Sequence, residues 1–321
     1  MAPRKRNQAT KTSAEKATSS TEENATAQEP QEQGIAGSKL PWQRLGVRLV
    51  LIMGALVLAY WFRGNQQDET LARSGEIYQR LAFDVPCSKD YVAEKHKFKE
   101  CFPSRCGRVV MDGVVTTTEA RELLRIAKAG LAHGGSNGGA SILDLHSGAL
   151  SKGDKFINIY AMMKNSGESI FSDEDFSLYK KVKNKIHDTI AAEFGVPLDK
   201  LYLTNPTFFS RMNTKPAQTI HDEYWHKHVD KETYGSFDYT SLLYLADYGS
   251  DFTGGRFIFD DKDVNRTVEP RLGRLSFFTS GHENVHHVEK VESGTRYAIT
   301  VSFTCDPAKA ISDPEMRQQS Q

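Results

Sequence analysis

The apolar residues of this chain are distributed in three different ways along its length, and each pattern predicts a different kind of structure. Residues 1–41 contain no aromatic residue and consist largely of Ala, Ser, Thr, Glu, Gln and Lys. That composition offers too little apolar surface to offset the entropy of ordering a chain, so a disordered tail is expected. From Leu45 to Phe62 the run LGVRLVLIMGALVLAYWF is apolar on every face and broken only by Arg48, which lies near its end and can snorkel to headgroups. With Trp42 on one flank and Tyr60 and Trp61 on the other, it predicts a single transmembrane helix over 42–63. Beyond it the period becomes that of one-sided helices. Thr118–Ala129 follows a Thr cap and has Gly130 as its stop; Ser172–Phe194 is stopped by Gly195. In the second, Phe176, Tyr179, Val182, Ile186, Ile190 and Phe194 recur every three or four residues, so this helix should pack on another layer, with His187 at the surface. Gly134–Gly139 lacks the Lys-Ser/Thr pair of a phosphate cradle and reads as a flexible loop.

After Gly195 the texture changes to short β-type runs at 207–212, 239–245, 256–259, 274–279 and 296–304, separated by Gly, Asp and Pro clusters. Strands at that spacing predict a barrel or jelly roll, placing the chain in the α+β class, mainly β. The expected organisation is a cytosolic tail (1–41), a membrane anchor (42–63), a polar lumenal stalk (64–108), a helical support region (109–200), a β core (201–308) and a C-terminal tail (309–321).

Charge changes the picture in one respect. The 41 basic and 41 acidic residues cancel, which offers no polycationic face, and no nucleic-acid partner is expected. The basic residues are unevenly placed around the apolar run: Arg4, Lys5, Arg6, Lys11, Lys16, Lys39 and Arg44 precede it, while Arg63 and Arg73 follow among Asp68, Glu69 and Glu76. This asymmetry predicts a single-pass type II signal-anchor topology, with the bulk of the chain in the lumen of the endoplasmic reticulum or Golgi. Cys87, Cys101, Cys106 and Cys305 all follow the run, which suits an oxidising compartment; three pairings are open. Asn265-Arg266-Thr267 is then a usable glycosylation sequon, whereas Asn205-Pro206-Thr207 is blocked by its proline.

Six histidines lie in the β region, and His228-Val229-Asp230 is the best start for a metal site: on a strand, residues two apart share a side, so imidazole and carboxylate could grip one cation. A third, distant ligand is required. The segment from Ser280 to Arg296 supplies candidates, and its pattern His286, Val288, Val291, Gly294, Arg296 resembles the distal motif of the 2-oxoglutarate- and Fe(II)-dependent oxygenases of the prolyl-hydroxylase type. Asp251–Phe257, with Gly254-Gly255, and Pro270–Phe277 resemble that family's glycine turn and following strand, so the likeness covers 207–304. Its register selects His286 over His287, the lesser option.

The resemblance implies a double-stranded β-helix with supporting helices. It implies His228, Asp230 and His286 as ligands of Fe(2+), with three positions left for 2-oxoglutarate and O2, and ascorbate as an auxiliary reductant. Arg296 would hold the co-substrate's distal carboxylate bidentately. Ala298, two residues on, lacks the hydroxyl some relatives carry, so a second donor would come from Tyr239, Thr240 or Tyr244. Arg211, Tyr224 and His226 are candidates for the substrate mouth. The implied activity is oxidative decarboxylation of 2-oxoglutarate coupled to hydroxylation of a protein or peptide side chain. The alternative is a metal-binding interaction module of the same fold without turnover.

Overall fold

The computed structural model describes residues 42–63 and 68–314, so the tail expected at 1–41 lies outside the described residues. The chain divides into two units, 1–60 and 61–321. In the first, helix α1 (Trp42–Arg63) forms where the apolar run predicts it. Its described side chains, 46–58, are exposed; that stretch alone falls short of the about 20 apolar residues of a span, and among the described residues no helix is long and apolar enough to cross a membrane.

The second unit begins with β1 (Asp68–Ala72), β2 (Leu81–Val85), α2 (Val92–Lys95), β3 (Cys106–Met111) and α3 (Thr117–Leu131). Four short strands follow, β4 (Gly135–Ser136), β5 (Ala140–Leu143), β6 (Ala149–Gly153) and β7 (Lys155–Asn158), then α4 (Ile159–Ser166) and α5 (Asp173–Phe194). The remainder is β8 (Tyr202–Asn213), α6 (Asp230–Tyr234), β9 (Tyr239–Tyr244), β10 (Phe252–Gly254), β11 (Phe257–Asp260), β12 (Asn265–Val268), β13 (Leu275–Thr279), β14 (His286–Val288) and β15 (Val291–Thr304). A major sheet of 11 strands runs β2-β3-β13-β9-β15-β8-β5-β6-β4, with β7 on β6 and β10 on β15; a minor sheet of 4 runs β1-β12-β11-β14.

The layers explain the sequence texture. Leu243, Phe277, Ile299, Val301 and Phe303 point from one face of the major sheet onto Leu123, Ile126, Ile186 and Ile190 of α3 and α5. The alternate residues Leu242, Tyr244, Phe278 and Ala298 point from the other face onto Phe257, Phe259, Val268 and Val288 of the minor sheet. Because both faces are covered, every residue of β9 is buried, Thr240 and Ser241 included, and the strand shows no alternation of apolar and polar positions.

α5 matches its prediction: Ser172 caps it through a capping box, the six striped residues are buried, and Gly195 ends it at φ 67°. Other expectations are corrected. Gly130 lies inside α3, where a Cβ would meet Leu143 Cδ2 at 2.4 Å; its service is close packing against β5. His187 is half-buried, bonded to the Leu201 carbonyl at 2.8 Å and stacked on Phe303. Gly135 and Ser136 of the supposed flexible loop pair in parallel with β6. The region 109–200 carries β4–β7 as well as helices.

The segment 64–108 is no separate stalk: its described residues supply β1 to the minor sheet and β2 and the start of β3 to the major one. Its backbone also receives the buried Arg274, whose guanidinium donates to the carbonyls of Arg73 and Glu76. Two disulfides fix it, Cys87–Cys106 and Cys101–Cys305, the second joining it to the end of β15. The described part of the expected C-terminal tail is docked too, through Ile311 N–H to the Leu203 carbonyl and Asp313 to Lys183.

Candidate metal centre and active site

The candidate metal ligands come from two backbone segments locked together. His228 and His286 form an isolated antiparallel bridge, each N–H donating to the other's carbonyl at 3.0 Å, which sets their rings 4.4 Å apart. Val229 then turns its side chain into the core, and Asp230 opens α6. The expectation of a strand through 228–230 is therefore replaced by a bridge residue followed by a helix start; the His-x-Asp spacing still converges because the chain bends between them.

One ligand atom from each of His228, Asp230 and His286 lies within 4.8 Å of the others. Asp230 Oδ1 is 3.6 Å from each Nε2. The far side of every ligand is occupied. His228 Nδ1 is 2.9 Å from the His226 carbonyl and His286 Nδ1 is 2.8 Å from that of Asn284, so each Nδ1 carries the proton and each Nε2 presents its lone pair to the centre. Thr240 donates to Asp230 Oδ2 at 2.7 Å and meets Ser280 Oγ at 2.8 Å, leaving Oδ1 free for a cation. Phe257 stacks on the His286 ring and Phe278 meets it edge-on, excluding water from that side.

Asp230 and His286 are buried, whereas the His228 side chain retains 33% exposure. Burial and then the neighbouring His286 push the His228 imidazole below its ordinary value. Burial opposes ionisation of Asp230, but His286, His228 and Thr240 outweigh it and hold its carboxyl below the usual range. A carboxylate with two Nε2 atoms facing it is a donor set that suits a divalent cation.

Arg296 stands on β15, on the same inner face. It is 1% exposed; Nε donates to the Gly255 carbonyl at 2.9 Å, Nη1 lies 3.7 Å from Met212 Sδ, and Nη2 is buried without a partner. Arg108 and Arg274 are equally buried but are paired, with Asp261 and Asp112 respectively. Among the described residues Arg296 has no carboxylate, a costly state for a buried guanidinium unless an anion completes it. A cavity of about 680 Å³ contains both the triad and Arg296. The residues thus fit Fe(II) at one end of the cavity and a dicarboxylate reaching to the other.

The remaining candidates separate. Tyr239 is spent on the Cys101 carbonyl and Thr240 on Asp230. Tyr244 is buried beside Ser276 and does not line the cavity; its ring is 5.4 Å from the Arg296 guanidinium, and burial raises its pKa to about 12. Ala298 sits directly opposite Tyr244 on the paired strand, where a small side chain leaves room for that ring. Tyr224 and His226 line the cavity. Arg211 does not; it faces the opposite side of β8, towards Ser141 Oγ and the Leu131 carbonyl. His287 is turned away from the triad and bonded to Asp260 at 2.6 Å, which excludes it as the ligand in this arrangement. Asn265 is half-buried in β12 with Thr267 fully buried, a less open setting than the surface loop a sequon suggests. Thr240 as the orienter of Asp230 and Asn284 as the orienter of His286 carry no spacing signal and emerge only from the fold.

Residues 210–304 match the model of the 2OG-Fe(II) oxygenase superfamily. The chain is 56% identical to 2-oxoglutarate and iron-dependent oxygenase domain-containing protein 3 of Xenopus tropicalis, over 86% of this chain and 87% of that one. It is 54% identical to the protein of the same name from Homo sapiens, over 85% and 86% respectively. Prolyl 3-hydroxylase 1 of Homo sapiens is 30% identical over 62% of this chain and 28% of its own.

Proposed function

Because this chain belongs to the 2OG-Fe(II) oxygenase superfamily, we propose that it hydroxylates a side chain of a protein or peptide in the lumen of the secretory pathway, held to the membrane by α1. That it is an Fe(II)- and 2-oxoglutarate-dependent dioxygenase follows from the family; the target and the location are our reading. The observation that carries the activity is the single cavity holding three convergent metal donors and a buried guanidinium lacking a counter-ion.

Each side chain has a definable task. His228, Asp230 and His286 would hold Fe(II) by one face and leave the opposite face open to the cavity. Arg296 would take the distal carboxylate of 2-oxoglutarate through Nη2 and Nη1. Bound there, iron and co-substrate supply the oxidising chemistry, in which one atom of dioxygen enters succinate and the other the hydroxylated product. Phe257 and Phe278 keep bulk water from the His286 side.

A protein or peptide substrate is supported by the cavity's size and by its rim, where Phe156, Ile220 and Tyr234 stand exposed. The name of prolyl 3-hydroxylase 1 points the same way. Anchoring is supported by the exposed apolar side chains of α1 and by the excess of Lys and Arg before it; a lumenal setting agrees with two disulfides and no free cysteine among the described residues. The test is succinate release by the purified chain supplied with Fe(II), 2-oxoglutarate and ascorbate, and mass spectrometry for single-oxygen additions on secretory proteins, wild type against Asp230→Ala. Metal binding without succinate release from any substrate pool would leave the non-catalytic module.

A further inference from the structure

The loop between Cys87 and Cys106 lies outside the matched region, yet it touches both segments that carry metal ligands. Its ends are joined by one disulfide, and Cys101 within it is joined to Cys305 by the other. Tyr91, 4% exposed, sits at its centre. The Tyr91 hydroxyl accepts from the Gly281 N–H at 2.8 Å and donates to Glu283 Oε1 at 2.8 Å. Asp90 accepts from the His282 N–H at 2.7 Å, and the Ser88 N–H reaches Glu283 Oε2 at 3.3 Å. These contacts hold the turn 281–283, which leads directly into Asn284, the residue whose carbonyl orients His286.

The second arm reaches Asp230. Its neighbour Lys231 donates to Glu94 at 2.8 Å and to Asp238 at 2.7 Å, with its ammonium 5.5 Å from the Tyr91 ring centroid. The Lys231 N–H also donates to the Ser280 carbonyl at 3.0 Å, so the two ligand-bearing segments meet on this loop. The approach is close: a Cβ on Gly281 would meet Ser88 Oγ at 2.7 Å and Tyr91 Oη at 2.9 Å.

We infer that the disulfide-bounded loop 87–106 is a positioning element of the metal centre, with Tyr91 its central residue, acting through Gly281 and Glu283 on His286 and through Lys231 on Asp230. The inference rests on the metal assignment of His228, Asp230 and His286. Tyr91 is a positioning residue: it touches neither metal nor co-substrate.

The experiment is a titration of the metal-free full chain, both disulfides intact, with Co(II), followed by the visible absorption of the bound ion. Tyr91→Phe keeps the ring and removes both hydroxyl bonds. Tyr160→Phe is the control, because it removes a buried hydroxyl bond to the Leu145 carbonyl remote from the site. Tyr91→Phe should weaken Co(II) binding severalfold, less than the about tenfold for loss of a direct outer partner of a metal ligand, and alter the Co(II) spectrum. Tyr160→Phe should leave both unchanged. Equal affinity and spectrum in Tyr91→Phe and wild type would overturn the inference while leaving the metal site standing, and equal losses in the two variants would reduce Tyr91 to general stability. A wild type that binds no Co(II) would overturn the site itself. Should Tyr91→Phe not fold, Glu94→Gln reads the Lys231 arm alone, with the same two readouts and an unchanged Co(II) affinity counting against the inference.

Discussion

Replacing Arg296 with methionine separates two effects that the wild-type side chain combines. In the absence of co-substrate, the substitution gives up the Nε bond to the Gly255 carbonyl and removes the buried Nη2 that has no partner. A hydrogen bond from a charged group contributes about 1.5–3 kcal/mol, and an unsatisfied buried donor costs about 1–3 kcal/mol, so the two nearly cancel. Methionine fills similar volume, and the metal-free, co-substrate-free variant should lie within about 1 kcal/mol of wild type. With 2-oxoglutarate the balance is different, because the guanidinium then has a carboxylate. Breaking a buried pair by removing one member costs about 3–5 kcal/mol, which at 1.4 kcal/mol per tenfold is a loss of at least about 100-fold in affinity. Urea unfolding of the apo chains gives the first quantity, and calorimetric titration of the Mn(II)-loaded chains with 2-oxoglutarate gives the second. A variant destabilised by about 3 kcal/mol or more would mean that Arg296 already has an internal counter-ion. A 2-oxoglutarate affinity within threefold of wild type would mean that the co-substrate binds elsewhere; either result refutes the reasoning.

Other outcomes follow from the same structure. His286→Ala should abolish Co(II) binding at micromolar metal while His287→Ala retains it, since only the former faces Asp230; visible absorption decides. Burial opposes ionisation of Glu119, but Lys185, the Thr116 N–H and Lys181 hold its carboxyl at about 2. Its stabilisation is therefore complete above the ordinary glutamate value of about 4.3 and is lost as pH falls toward 2. Glu119→Gln should cost ~1–2 kcal/mol at pH 7, and the gap from wild type should close between pH 4.3 and about 2 in acid-unfolding curves. Removing Cys101–Cys305, which spans 204 residues, should cost more than removing Cys87–Cys106, which spans 19: about 5 against about 3 kcal/mol from loop-closure entropy, read from urea midpoints of paired Cys→Ser variants.

How much the sequence discloses depends on how local the physics is. His286 and Arg296 stood out because the spacing His286, Val288, Val291, Gly294, Arg296 resembles a known motif, although the fold puts them on different strands, β14 and β15. α5 was legible because capping and stripe are encoded within it. β1 was not: Asp68-Glu-Thr-Leu-Ala72 is short and half polar, and it becomes a strand only because β12, nearly two hundred residues later, offers a parallel edge. The same holds for Arg108 and Arg274, whose burial depends on Asp261 and Asp112 arriving from distant segments. Gly130 looked like a helix stop because the neighbour that needs its missing side chain, Leu143, comes from another element. Asp230 converges on His228 and His286 through a local geometry other than the expected strand, since the bend at Val229 accompanies the His228–His286 bridge and cannot be read from the tripeptide.

The unequal burial of the three ligands gives the site a direction of loading. Asp230 and His286 are sealed on their protein side, whereas His228 retains a third of its surface towards solvent. An arriving ion, or a chelator sent to strip one, meets the His228 edge before the other two donors. Crowding that edge would slow exchange in both directions without touching the two donors behind it.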